Sequence, residues 1–186
     1  VYTLSLQDAL PISGGGAYFR TSSPDLETVT IINNTASQGG GMYCDDAGNP
    51  LLLNVTISGN FTDNDGGGIF CNDDANPTLI NSILWDNSPQ EIYHNEDGEA
   101  SSITISFSDI EGGESGIIIN NNATINWEEG NIDANPLFVD IANGDYRLSD
   151  YSPAIGAGTA TGAPTTDIDG NPPPNPLGSS PAMGAD

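Results

Sequence analysis

The chain has no lysine, and Arg20 and Arg147 are the only fixed positive charges among its 186 residues. Against them stand 26 aspartates and glutamates, for a formal net charge of −24. Nucleic-acid binding relies on lysine and arginine to displace counterions from phosphates, and anionic membranes attract proteins through the same residues. This composition therefore argues against both partners. Long apolar runs are missing too. Nothing approaches the ~18–20 residues a membrane-spanning helix needs, so no direct membrane insertion is expected. No stretch sustains apolar residues at i, i+3, i+4 and i+7, so helices are not expected. Histidine is represented by His94 alone and cysteine by Cys44 and Cys71.

What the chain does have is glycine at fixed intervals. Triplets occur at Gly14-Gly15-Gly16, Gly39-Gly40-Gly41 and Gly66-Gly67-Gly68, 25 and 27 residues apart. Each is followed by a small or apolar residue and an aromatic one: Ala17-Tyr18, Met42-Tyr43 and Ile69-Phe70. X-Pro pairs keep the same step at Ser23-Pro24, Asn49-Pro50 and Asn76-Pro77. Short β-branched stretches follow, including Val29–Ile32 and Val55–Ser58, and close on Asn34, Asn60 and Asn87. Glu91-Ile92-Tyr93-His94 and Gly116-Ile117-Ile118-Ile119 continue the frame after the triplets are lost.

A period of this size marks a solenoid, whose repeats bury their apolar faces against their neighbours. The reading is all-β: a single-stranded right-handed parallel β-helix of about four to five coils over residues 14–128, with an irregular C-terminal cap over 129–186. Like residues then stack in columns. One is apolar (Ala17, Met42, Ile69, Ile92, Ile117), one aromatic (Tyr18, Tyr43, Phe70, Tyr93) and one of asparagine, whose amide can donate and accept along its copies. Cys44 and Cys71 share a column, as a cross-coil disulfide or as a pair of small core residues, and His94 joins them as a structural histidine. The triplets read as corners that repeat one backbone bend.

Residues 1–13 are out of keeping with the repeat and resemble a translated sequencing adapter, so they are set aside as non-native. The reading frame, with any signal peptide and further coils, is then expected to continue upstream.

Towards the other end stand Asn131-Ile132-Asp133-Ala134-Asn135-Pro136-Leu137-Phe138, Gly144-Asp145-Tyr146-Arg147-Leu148, Ser152-Pro153-Ala154-Ile155-Gly156, Asp167-Ile168-Asp169-Gly170-Asn171-Pro172 and Met183-Gly184-Ala185-Asp186. With Asn81–Asn87, this ordered string resembles the bacterial right-handed parallel β-helix repeat proteins whose end block is of the choice-of-anchor Q type. Gly156, where an aspartate is usual, and Pro172-Pro173-Pro174, in place of Pro-Arg, depart from it. The resemblance implies a secreted or cell-surface protein. Physically, the end block suits a cap, with Leu137, Phe138 and Val139 plugging the open end of the barrel.

Related folds include polysaccharide lyases and hydrolases, so catalysis is weighed. A lyase needs a base together with a positive group or metal to stabilise the developing anion, and with no lysine, and Arg20 and Arg147 far apart in sequence, that set is not expected here. The Asn-Thr-Asp and Gly-His-Gly patterns of polygalacturonases are absent. Asp45-Asp46 and Asp73-Asp74 recur after 28 residues. Stacked carboxylates would suit a calcium ion or a glycosidase pair, and the same residues are also ordinary strand corners. Asp63 and Asp65 begin a run like a calcium loop, as do Asp167 and Asp169, although neither continues to the expected glutamate. Trp85, Tyr43, Phe70 and Tyr93 are candidate sugar-stacking residues if they face outward, and ladder or core residues otherwise. The functional expectation is a monomeric extracellular module, non-catalytic in this segment, that presents an extended surface to a polysaccharide or cell-surface glycan, with calcium as the one cofactor to consider. The alternatives are a polysaccharide-active enzyme whose site lies upstream, and a structural stalk.

Overall fold

A computed structural model describes residues 3–4, 13–166 and 180–185. The chain winds into a parallel β-solenoid of about four turns with three long faces. Face 1 stacks Ala17–Arg20, Met42–Asp45, Ile69–Cys71 and Ile92–His94. Face 2 stacks Asp25–Glu27, Leu51–Leu53, Thr78–Ile80, Ser102–Ser106 and Thr124–Trp127. Face 3 stacks Thr30–Ile32, Thr56–Ser58, Ile83–Trp85 and Asp109–Ile110. A short fourth rung pairs Thr35–Ala36 with Phe61–Thr62. Among the described residues, helix is confined to two single turns, Glu114–Gly116 and Ile141–Asn143.

The register follows the glycine frame: Met42 is level with Ile69 and Ile92, Leu52 with Leu79, and Ile31 with Ile57. Strand alternation sends these residues inward, where they form one continuous apolar core. At the C-terminal end Ile125 and Trp127 pack against this core, level with Ile103 and Ile105. The backbone of Thr3–Leu4, within the segment set aside above, adds in register to Thr30–Ile31. An open strand edge accepts any extended chain.

Each glycine of a triplet meets a different demand. The first takes the left-handed conformation, with φ of +74, +62 and +68 at Gly14, Gly39 and Gly66. The second touches the next coil: a Cβ at Gly40 would lie 2.7 Å from the Gly67 carbonyl oxygen. The third meets the next coil and the core together, since a Cβ at Gly41 would lie 2.7 Å from the Gly68 carbonyl oxygen, 2.8 Å from Ile57 Cγ2 and 3.1 Å from Asn60 Nδ2. The shared backbone bend thus belongs to the first glycine, and close approach governs the other two.

The column asparagines form a buried ladder. Asn34 donates from its backbone N–H (2.9 Å) and its Nδ2 (3.0 Å) to Asn60 Oδ1. Asn60 repeats the pattern on Asn87 Oδ1 at 3.0 and 2.8 Å, and Asn60 Nδ2 also reaches the Ile31 carbonyl. The fourth rung is a carboxyl group: Asn87 donates from N–H and Nδ2 to the two oxygens of Glu91. Replacing Asn60 by alanine strands several buried polar groups at ~1–3 kcal/mol each. Urea denaturation of Asn60→Ala is therefore expected to show a loss of about 3 kcal/mol or more.

The end block differs from the predicted plug. Leu137 and Val139 are 41% and 51% exposed, while Phe138 joins a second apolar cluster on the outside of face 3. That cluster centres on Ile83, Leu148, Ala154 and Met183, with Trp85 and Phe107 against it. Phe138–Asp140 and Asp145–Leu148 form an antiparallel pair within the block. Two corner asparagines bind it to the solenoid. Asn54 Nδ2 donates to the carbonyls of Ala182 and Gly184. Asn81 donates to the Thr159 carbonyl and accepts from its N–H at 2.8 and 2.7 Å. The block runs along the side because face 3 carries outward apolar residues that need cover, while Ile125 and Trp127 already pack at the barrel end.

Candidate functional site

The predicted aromatic and acidic columns meet on the outer surface of face 1. With Met42, Ile69 and Ile92 inward, alternation turns Tyr18, Tyr43, Phe70 and Tyr93 outward. Their rings stack at centroid separations of 5.3, 4.8 and 5.4 Å. Stacking occupies both faces of Tyr43 and of Phe70, which are only 8% and 0% exposed. Desolvation pushes the Tyr43 hydroxyl up to about 12, with Asp45 adding to the effect. Trp85 lies beneath the end block. Tyr43 and Phe70 therefore have no open ring face for a sugar and are ladder rungs, while Trp85 is partly buried and packs against the end block. Tyr93 is half-buried, and Tyr18, at the N-terminal rung, is 45% exposed.

Two residues beyond the rings runs a second outward column: Arg20, Asp45, Asn72 and Asn95. Arg20 is level with Asp45, and Asn72 and Asn95 continue the strands that bring Cys44, Cys71 and His94 into register. Asn95 Nδ2 donates to Asn72 Oδ1 at 2.7 Å, and Asn72 Nδ2 donates to Asp45 Oδ1 at 2.8 Å. The Tyr18 hydroxyl donates to Asp45 Oδ2 at 2.9 Å, tying the two columns together. Arg20 Nε lies 3.3 Å from Asp46 and 3.8 Å from Asp45.

This register corrects the predicted pairing of acids. The strand step is 27 residues, from Cys44 to Cys71, so Asp45 is level with Asn72 and not with Asp73. The Ala47 N–H donates to the Asp73 carbonyl, which places Asp46 beside Asp73 and Ala47 beside Asp74. The corner is built from consecutive left-handed residues, with φ of 48 and 60 at Asp46 and Ala47, and 46 and 59 at Asp73 and Asp74. Aspartate tolerates that conformation better than most residues. Asp63 and Asp65 sit at the opposite end of the strands, where Asp65 accepts from Gln90 Nε2 at 3.3 Å. Among the described residues, no three His, Cys, Asp or Glu side chains converge to hold a metal ion. Asp167 and Asp169, and Pro172 to Pro174, lie outside the described residues.

His94 is level with Cys71 and points into the core, away from the acidic corner. Cys44 and Cys71 are free thiols. Two buried acids escaped the sequence reading. Burial, reinforced by nearby Glu111, raises the Glu91 carboxyl to about 8 against the lowering effect of the Asn87 hydrogen bonds. Burial likewise raises Asp109 to about 7, and its Oδ2 has no partner while Oδ1 accepts from the Ala134 N–H. The signal for Glu91 was its position, since it stands in the column of the third glycine, level with Gly68. No protein family, curated protein or solved structure matches this chain.

Proposed function

We propose that this chain is a module of a bacterial extracellular β-helix protein with a choice-of-anchor Q type end block, and that face 1 binds a neutral polysaccharide or cell-surface glycan without cleaving it. The observation that carries the reading is the pair of outward columns on face 1. Asp45, Asn72 and Asn95 repeat amide and carboxylate groups along the solenoid axis, and Tyr18 and Tyr93 border them. A periodic row of planar hydrogen-bonding groups suits a periodic polymer of hydroxyls. The net charge of −24 selects a neutral glycan, because uronate polymers would be repelled. The ordered end motifs support the family reading, and the acidity supports an extracellular setting.

Asn72 and Asn95 project outward from a finished core, so the double variant Asn72→Ala, Asn95→Ala should fold. On a glycan array carrying neutral and uronate polymers, the wild type is expected to retain neutral glycans and the double variant to lose them. No retention by the wild type would leave the module as a stalk. Unchanged retention by the variant would remove face 1 as the binding surface.

A further inference from the structure

Cys44, Cys71 and His94 are partners on successive strands, and all three side chains enter the core with 0% exposure. Neither Nδ1 nor Nε2 of His94 has a hydrogen-bond partner. A neutral imidazole always carries one N–H, and burying it unmatched costs about 1–3 kcal/mol. A leucine would fill this column without that penalty. The ring is an unpaired ligand in the same inward column as the Cys71 thiol, one strand away.

We propose that Cys71 and His94 form a buried two-coordinate site for a soft monovalent cation, of which Cu(I) is the type. Adjacent strands set stacked side chains about 4.7–4.9 Å apart. Bonds as long as those of zinc, about 2.3 Å to thiolate sulfur and about 2.0 Å to imidazole nitrogen, would make a linear S–metal–N unit roughly 4.3 Å long. The column spacing therefore matches linear coordination with small side-chain adjustments. Thiolate with imidazole is a donor set that accepts Cu(I). Structural zinc needs four ligands, which do not converge here among the described residues.

Charge selects Cys71 with His94 over Cys44 with Cys71. On binding, the Cys71 thiol releases its proton to solvent, Cu–S and Cu–N bonds form, and the complex is neutral. Two thiolates around Cu(I) would leave a net negative charge in an apolar core. Burial holds His94 down to about 4, so its ring is already neutral and unprotonated for the metal. Burial also pushes the Cys71 thiol up to about 12, so uptake must displace that proton and strengthens as pH rises.

The test incubates the reduced, anaerobic full chain with Cu(I) against bathocuproine disulfonate, and reads retained copper together with thermal melting. The wild type and Cys44→Ser are expected to retain stoichiometric copper and to melt higher with it than without. Copper content should fall to background in Cys71→Ser and in His94→Leu. Without copper, His94→Leu should melt above the wild type, which separates loss of the site from loss of the fold. Failure of the wild type to retain copper, equal retention by His94→Leu, or a Cys44–Cys71 disulfide in the purified protein would each overturn the proposal.

Discussion

Replacing Gly67 by alanine is expected to destabilise the solenoid by at least about 3 kcal/mol, the upper part of the range for overpacking a rigid site. The added Cβ would lie 2.3 Å from the Ser88 carbonyl oxygen and 2.5 Å from both the Ser88 carbon and nitrogen. All three are backbone atoms, so no rotamer change relieves the contact, and the strand-to-strand step itself must widen. In a chain of this length that corresponds to a fall in melting temperature of about 6–12 °C or more. Gly144→Ala supplies the control. Gly144 has φ of +79, yet nothing lies within 4 Å of its added Cβ. Its cost is left-handed strain alone, on the order of 1 kcal/mol. Equal losses in the two variants would mean that close approach between coils does not govern the triplets.

The second large effect is a dependence of stability on pH that Glu91 sets. Its carboxyl moves from 4.5 to about 8 on folding, chiefly through burial. The folded chain therefore holds a proton between those values that the unfolded chain releases. The resulting stability is complete below about 4.5 and is lost as pH rises through about 8. Asp109, raised from 3.8 to about 7, acts in the same sense. His94 opposes them: lowered from 6.5 to about 4, it contributes stability above 6.5 that is lost as pH falls through about 4. Between pH 8.5 and 6.5 the two acids act unopposed. Each proton held only by the folded chain is worth about 1.4 kcal/mol per pH unit, so the gain amounts to a few kcal/mol. Acidification also relieves the general repulsion of a chain at −24, so the wild type alone cannot assign the effect. Glu91→Gln can. Without the buried charge it should melt above the wild type at pH 8.5. At pH 5 it should melt below it, because a glutamine cannot accept both Asn87 hydrogen bonds through two oxygens. Parallel melting curves at both pH values would exclude Glu91 as the source.

The architecture was legible because solenoid order is written linearly. One step of 27 residues carries Gly39 to Gly66, Tyr43 to Phe70 and Asn60 to Asn87, and parallel stacking needs little else. The acid pairs misled because they were aligned by residue type. Asp45-Asp46-Ala47 and Asn72-Asp73-Asp74 align through their strands, one residue away from that match. The exposure of the aromatic column could not be read at all. Alternation turns Tyr43 and Phe70 outward, but their own neighbours in the ladder cover them. The lateral course of the end block was hidden for another reason. Asn54 and Asn81 grip it through the backbone carbonyls of Ala182, Gly184 and Thr159, and carbonyls leave no mark in a sequence. The polar row on face 1 sits between these cases. Asp45 was noticed for its charge, whereas Asn72 and Asn95 gain meaning only once their strands are in register.

The most direct test of the stacked register and its buried ladder is amide hydrogen exchange resolved by residue. The N–H groups of Asn34 and Asn60 donate to side-chain oxygens of the next coil inside the core. They are expected to exchange among the slowest in the protein, together with the side-chain amides of Asn60 and Asn87. The side-chain amides of Asn72 and Asn95, on the outer surface, should exchange far faster. Comparable rates for the two sets would contradict an interior asparagine ladder, and with it the register on which every column described above depends.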